Sequence, residues 1–599
     1  MKKKLDIMKK IMFVLFLFVT QLNFAQTASV LVETESFDEK GGWVVDQQFI
    51  PSMGSPYLLA HGMGEPVENA ATTVEFPESG RYWFWVRTKD WVPDRPETPG
   101  TFKIIFDGEE YPETFGVNEG WQWVRSGRVR VGNSKQLQME LKDETGFEGR
   151  CDAIYFSKDK NDFPPFELEE MTTWRNEKLG IPPPENAGNF DLVVVGGGLA
   201  GCGAAVAAAR HGLKVALIND RPVLGGNASK EIRVHTEGLE FYTIVQELST
   251  EHYPNGDAGA ITATDTIEMV VRAEQNISVF PNTRAYTVHK EGNKITSVDC
   301  FNTHTHKETR FNAPLFVDAT GDGWIGYWAG AEVRMGRESR DEFGESLAPE
   351  KPDGMTMGNS ILWNSVEIEK EDKANPENKL EVGWQEVPWA MDVAKDYEAT
   401  RGEWFWEYGL LMNTIYDAEE IRDHMFRAIY GNWYNVKQDP ENANLKLKWI
   451  AYVAGKRESR RIMGDYILKE SDVMNHPDFE DGFVEEVRAI DIHYPRGGKY
   501  DFLTEAQFTK IEQYKIPYRC LYSKDIDNLF MAGRCFSATH VGLGSPRVMH
   551  TTTQMGVVVG YAAAVCKENS CSPRDVYKYH LDTMRERLDK IKSGAEFKH

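Results

Sequence analysis

Asp191-Leu-Val-Val-Val-Gly196-Gly-Gly198-Leu-Ala-Gly201 is the stretch that decides the fold. Four apolar or β-branched residues run straight into a Gly-x-Gly-x-x-Gly triplet. Ala204, Ala205, Val206, Ala207, Ala208 and Ala209 then supply the small side chains of a helix packed close to a sheet. That order predicts the strand, turn and helix of a dinucleotide site. Gly196 makes the tight turn, Gly198 lets backbone approach a pyrophosphate, and Gly201 lets helix and strand touch. The helix start offers free N–H groups and the positive end of its dipole to phosphate. Lys214-Val-Ala-Leu-Ile218 supplies the second strand of the βαβ unit.

Working back to the beginning of the chain, Lys2, Lys3, Lys4, Lys9 and Lys10 precede the apolar run Ile11-Met-Phe-Val-Leu-Phe-Leu-Phe-Val19, and Asn23-Phe24-Ala25 offers a small-residue cleavage point. These features predict a signal peptide over 1–25, too short to span a bilayer. The periplasm is the expected compartment, with secretion the alternative. No later apolar stretch is long enough to predict a membrane span. The chain of 599 residues exceeds one core and implies several domains. Its net charge of −24 deepens to −28 once a leader of net charge +4 is removed, which argues against a nucleic-acid partner. Local arginine clusters still leave room for an anionic small substrate. The seven cysteines have no metal-binding spacing, and Cys566 with Cys571 is the pair placed to bridge.

Residues 28–158 read as short strands at 30–35, 71–76, 81–87, 101–107, 122–131 and 137–141, divided by turn residues, which predicts an all-β sandwich. Trp43, Trp83, Trp85, Trp91, Trp121 and Trp123 fall here, either as core or as sugar-stacking faces. Val32-Glu-Thr-Glu35, Gly80-Arg-Tyr-Trp83 and Arg150-Cys-Asp-Ala-Ile-Tyr155 resemble the carbohydrate-binding sandwich modules of polysaccharide-degrading enzymes. That resemblance implies Glu33, Glu35 and Asp152 as ligands of a structural calcium. Residues 159–188, with Phe163-Pro-Pro-Phe and Ile181-Pro-Pro-Pro, read as a proline-rich linker. A catalytic α/β domain is expected over 189–599.

Within that domain, Asn219-Asp220 ends the second strand and Gly225-Gly226-Asn227 follows as a paired-glycine turn. Leu315-Phe-Val-Asp-Ala-Thr-Gly321-Asp322-Gly323 is another strand running into glycine. Asn528-Leu-Phe-Met-Ala-Gly533-Arg534 is a strand ending in glycine near the C-terminus. An early glycine motif and a distant Ala-Gly-Arg return resemble the FAD-dependent oxidoreductase family, of the glutathione-reductase-like group, over most of 190–565. The resemblance implies a Rossmann-like FAD-binding fold with an inserted substrate region. It implies FAD held by Gly196, Gly198, Gly201, Asn219, Gly225, Gly226, Asn227, Asp322 and Gly533. An acidic residue ordinarily meets the adenosine diol at the Asn219 position, so the contact falls to the Asn219 amide or to Asp220.

Flavin oxidation of a sugar hydroxyl needs a base, and histidine is its natural candidate. His235, His493, His540 and His550 lie in motif-rich loops, with His540 and His235 the first choices. His304 and His306 read as a solvated hairpin. Arg233, Arg461 and Arg547 could grip a carboxylate or sulfate by paired hydrogen bonds, Arg233 and Arg547 being the catalytic choices. Two reactions fit. One is elimination of water from a uronic acid ending an anionic, ulvan-like oligosaccharide, similar to a dehydratase of ulvan-degrading marine flavobacteria. The other is oxidation of a sugar hydroxyl to a ketone. A non-catalytic glycan-binding protein is the remaining alternative.

Overall fold

The computed structural model describes residues 27–368 and 380–592. The leader expected at 1–25 lies outside the described residues. Among the described residues no helix is long and apolar enough to cross a membrane.

A five-stranded parallel sheet runs in the order Ile277–Phe280, Val215–Ile218, Leu192–Val195, Leu315–Asp318, Leu529–Met531. Near-continuous apolar runs are what strands covered on both faces require. Alternate residues part into two cores. Leu192, Val194, Val215, Leu217, Leu315 and Val317 meet the helices Leu199–Arg210 and Met549–Asn569. Val193, Val195, Ala216, Ile218 and Phe316 pack with Ala285, Ile295, Val298 and Phe311 of an antiparallel sheet. The two helices touch through Gly556, where a Cβ would stand 2.0 Å from the Ala200 carbonyl oxygen. Sequence order reverses beside Leu192–Val195, and the crevice beyond the carboxyl ends of such strands is where open α/β sheets bind ligands.

The N-terminal region is β-rich. Its strands form a six-stranded and a four-stranded antiparallel sheet, and Leu58, Phe84, Ile154 and Phe156 of one share a core with Val74, Ile104, Leu137 and Met139 of the other. Trp43, Trp85, Trp91 and Trp123 are buried. The guanidiniums of Arg125 and Arg128 lie 4.6 and 5.0 Å from the Trp83 ring, and Trp121 packs 4.9 Å from Tyr57. Trp83 and Trp121 are half-buried.

The 159–188 segment is corrected from a linker to an ordered element. Helix Leu168–Leu179 occupies its middle; Glu169 and Glu170 in its first turn suit the positive dipole end, and Gly180, at φ 63°, ends it in a left-handed cap. The prolines flank this helix, and Glu185–Asn189 then pairs in parallel with Glu308–Asn312.

The calcium set is corrected at Asp152, while Glu33 and Glu35 lie with His306 close enough to share an ion. Asp152 is buried and accepts from Arg87 at 2.7 Å and from Arg175, so two guanidiniums occupy the carboxylate expected to hold the ion. Glu33 accepts from Arg175 at 2.7 Å, and Glu35 lies 2.9 Å from His306, which leaves the expected solvated hairpin for a half-buried place in the border. Burial pushes the Glu33 carboxyl up to about 8, against the pull of Arg175.

The border with the helix Ala418–Gln438 is ionic and dry. Arg150 donates to Glu419 at 2.8 Å and to Asp423 at 2.6 Å, Tyr57 donates to Glu419 at 2.8 Å, and Arg422 pairs with Asp46. Both side chains of the last pair have zero exposure. Cys566 and Cys571 are separate thiols.

Candidate active site

One cavity opens at the sheet's carboxyl edge. Its wall includes Gly196 to Ala200, Asn219 to Arg221, Gly225 to Asn227, Ala319 to Asp322, Gly533 and Arg534. The glycines divide their work. A Cβ at Gly201 would stand 1.8 Å from the Gly196 carbonyl oxygen, so Gly201 is forced by helix–turn contact. A Cβ at Gly198 would meet only the Gly226 Cα, at 3.9 Å. Nothing in the protein fills that space, which is the cradle a pyrophosphate requires. The paired turn is bound to this cradle, Gly225 donating to the Gly197 carbonyl at 2.9 Å.

Asn219 commits its amide to the turn. Its Oδ1 accepts from Gly197 N–H at 3.2 Å, while Nδ2 donates to the carbonyls of Arg221 at 3.0 Å and Val223 at 2.9 Å. Asp220 is the carboxylate at that edge of the cavity, paired with Arg284 at 3.0 Å. At the other end Asp322 accepts from Lys456 and from Ser459 Oγ, both at 2.8 Å. Burial pushes its carboxyl up, but Lys456 and Arg534 prevail and hold it below the usual range. Arg534 Nη1 is buried without a protein partner. An unused guanidinium donor beside an open glycine cradle fits an anionic cofactor.

A second cavity of about 550 Å³ shares the wall formed by Asn227, Lys456, Arg534, Arg547 and Met549. Lys456, Arg457, Arg488, Arg496, Arg534 and Arg547 line it, with Trp404, Phe405 and Phe508. The last two are 41% and 62% exposed. The carboxylates compensating these cations are Glu237, Asp322, Glu407 and Asp491. The cavity is therefore cationic inside an acidic chain.

His493 is part of its lining. Its Nδ1 bonds Glu407, while Nε2 lies 3.1 Å from Arg547 and 3.3 Å from Asp491. Arginine can only donate and a carboxylate can only accept, so Nε2 stands between a donor, Arg547, and an acceptor, Asp491. Once protonated at Nε2, the same ring finds Asp491. Burial pushes the Glu407 carboxyl up, but Arg457 and His493 bring it down to about 2. Burial lowers Arg547 despite its 2.7 Å bond to Asp491.

Of the expected catalytic residues, His235 and Arg547 line this cavity. His235 Nε2 lies 3.0 Å from Glu237, which also accepts from Arg488 at 2.7 Å and is held at about 2, first by the His235 bond. Two expectations are corrected. Arg233 lies 4.0 Å over the Trp449 ring, donates to the Lys230 carbonyl at 3.2 Å and lines neither cavity. His540 starts the turn His540–Leu543, is 1% exposed, meets Glu458 at 2.9 Å through Nδ1 with Nε2 buried and unpartnered, and lines neither cavity. Arg461 is likewise buried, on Glu338 at 3.2 Å. His493 was legible only as a histidine in a rich loop; Tyr494 and Pro495 beside it carry no base signature.

Comparison with known proteins agrees with this geometry. The family profile described as FAD dependent oxidoreductase matches residues 191–588. Glycerol-3-phosphate dehydrogenase of Mycobacterium leprae is 37% identical over 81 residues, 12% of this chain and 14% of that one. The soluble pyridine nucleotide transhydrogenase of Ectopseudomonas mendocina is 54% identical over 41 residues, 7% of this chain and 9% of that one. These matches thus span less than a fifth of the relatives' length. Among solved structures, a geranylgeranyl bacteriochlorophyll reductase-like protein of Thermoplasma acidophilum aligns over 68% of this chain and 83% of its own, at 13% identity and TM-score 0.30. The myxobacterial chondrochloren halogenase aligns over 68% and 80%, at 15% identity and TM-score 0.31. The chain belongs to the FAD-dependent oxidoreductase family, and FAD is its cofactor.

Proposed function

We propose that the protein is an exported flavoenzyme acting on the acidic end of an oligosaccharide, with His493 as the general base. The observation that carries this reading is the wall shared by the two cavities: a cation-lined pocket abuts the cofactor cavity at Arg534 and Arg547. Arg488, Arg496 and Arg547 offer charge-assisted hydrogen bonds to a carboxylate or sulfate. Phe405 and Phe508 at the rim offer apolar faces to the neighbouring sugar. Gly198, Asp220, Asp322 and Arg534 would hold FAD, which supplies a hydride acceptor when bound. His493 Nε2 takes the hydroxyl proton as the C–H hydride leaves, and the imidazolium is held between Glu407 and Asp491. A general base of this kind contributes about 10²–10⁴-fold. Turnover would then require an external electron acceptor such as oxygen or a quinone.

Elimination of water from a terminal uronic acid is a second reading, favoured by the same arginines. A carboxylate gripped beside His493 places its α-proton within reach of a base, and no acceptor is needed. Anaerobic incubation with uronic-acid-ended oligosaccharides separates the two. Oxidation removes two hydrogens from the substrate and bleaches the flavin. Elimination removes one water, creates an ultraviolet-absorbing unsaturated uronate and leaves the flavin oxidised. No change in any acidic oligosaccharide, with FAD bound, overturns both.

A further inference from the structure

The cofactor cavity is not closed by the α/β domain alone. Gln48 and Phe49, from the loop between strand Val44–Asp46 and the turn Ile50–Met53, and Pro51 of that turn form part of its wall. They stand in the same wall as Asn219, Asp220 and Arg284, and the end of the second strand of a βαβ unit is where the adenosine ribose is held.

Three observations show that this loop is built into place. Gln47 is buried; its amide donates to the Asp220 carbonyl and accepts from Thr303 Oγ1 at 2.8 Å. Gln48 donates to the Tyr452 carbonyl at 2.9 Å and accepts from Ala454 N–H at 2.7 Å, tying the loop to another segment of the cofactor cavity wall. Phe49 is 2% exposed beneath the Arg422 guanidinium, 4.6 Å away, and Arg422 is the partner of Asp46 in the same loop.

The geometry points to the 46–51 loop as a permanent wall over the adenosine half of bound FAD, which makes the N-terminal region part of the cofactor site. Gln47 fixes the backbone of Asp220, and Phe49 with Pro51 excludes water from that end of the cavity. The inference rests on FAD as cofactor and is independent of the substrate.

The test uses the full chain, deflavinated and titrated with FAD and separately with ADP, which carries the adenosine half alone. Phe49→Ala and Gln47→Ala are expected to weaken both ligands by a common factor of at least about tenfold with native circular dichroism. FAD and ADP are each expected to slow amide hydrogen exchange over 46–51 in the unaltered protein, a readout that survives if both variants misfold. Unchanged affinity in folded variants, weakening of FAD without weakening of ADP, or exchange over 46–51 indifferent to both ligands overturns the inference.

Discussion

Arg547 Nη2 stands 3.1 Å from His493 Nε2 and 2.7 Å from Asp491, within the wall that separates the two cavities. One guanidinium thus touches the proposed base and presents positive charge to both cavities. His493→Gln is expected to lower turnover by about 10²–10⁴-fold while flavin content stays full. His540→Gln should leave turnover within a few-fold and lower the melting temperature, because it loosens a buried contact with Glu458. Steady-state rates with flavin absorbance decide; the reverse pattern restores His540 as the base.

Arg547→Met removes a charged donor from the shared wall. The loss is about 1.5–3 kcal/mol, or roughly 10- to 150-fold in kcat/KM for an anionic substrate. A neutral substrate of the same size should lose much less. Equal losses for both would show that Arg547 shapes the cavity without reading charge.

Gly201→Ala is expected to abolish flavin binding or folding, since the added carbon falls 1.8 Å from a carbonyl oxygen. Gly198→Val should leave folding intact and abolish flavin binding, since its side chain enters open space meant for the pyrophosphate. Circular dichroism beside flavin absorbance distinguishes the two glycines.

Glu407 gives a pH dependence whose sign is fixed. Its carboxyl lies at about 2 in the folded chain against an ordinary 4.5. The stability it contributes is therefore complete above 4.5 and is lost as pH falls toward 2. Melting temperature should fall less steeply over that window in Glu407→Gln than in the unaltered protein. Parallel curves would sink the assignment.

Arg422→Met leaves Asp46 buried and unpaired, which costs about 3–5 kcal/mol. Adding Asp46→Leu should recover much of that loss. Calorimetry of the unaltered chain should show the N-terminal and α/β regions melting together. Two well-separated transitions would mean that the ionic border is weak.

The α/β sheet and its glycine turns were legible because their signals are local: a strand, a turn and a helix within a dozen residues. The helix at Leu168–Leu179 was hidden by the prolines on either side, although Glu169, Glu170 and Gly180 are ordinary start and stop signals. The base was hidden by distance. His493 has Glu407 86 residues before it and Arg547 54 residues after it, and no periodicity joins them. His540 drew attention by standing near Arg534, but the Thr539 cap turns it inward, with Thr539 Oγ1 accepting from Gly542 N–H at 2.9 Å. Asp152 was misplaced in the calcium set for a related reason: Arg175, which holds its carboxylate, belongs to the helix that was not anticipated.

The ionic border has a consequence for the order of maturation. Arg150 is synthesised 269 residues ahead of Glu419, and Asp46 376 residues ahead of Arg422. Until that later helix exists, the first region of the chain carries charges whose counter-charges have not been made, and such groups cannot leave water. Its sheets can pair early, but its Arg150 face must stay wet. The part of the protein that emerges first is therefore among the last to settle, and a nascent chain halted before residue 418 should expose that face to any protease at hand.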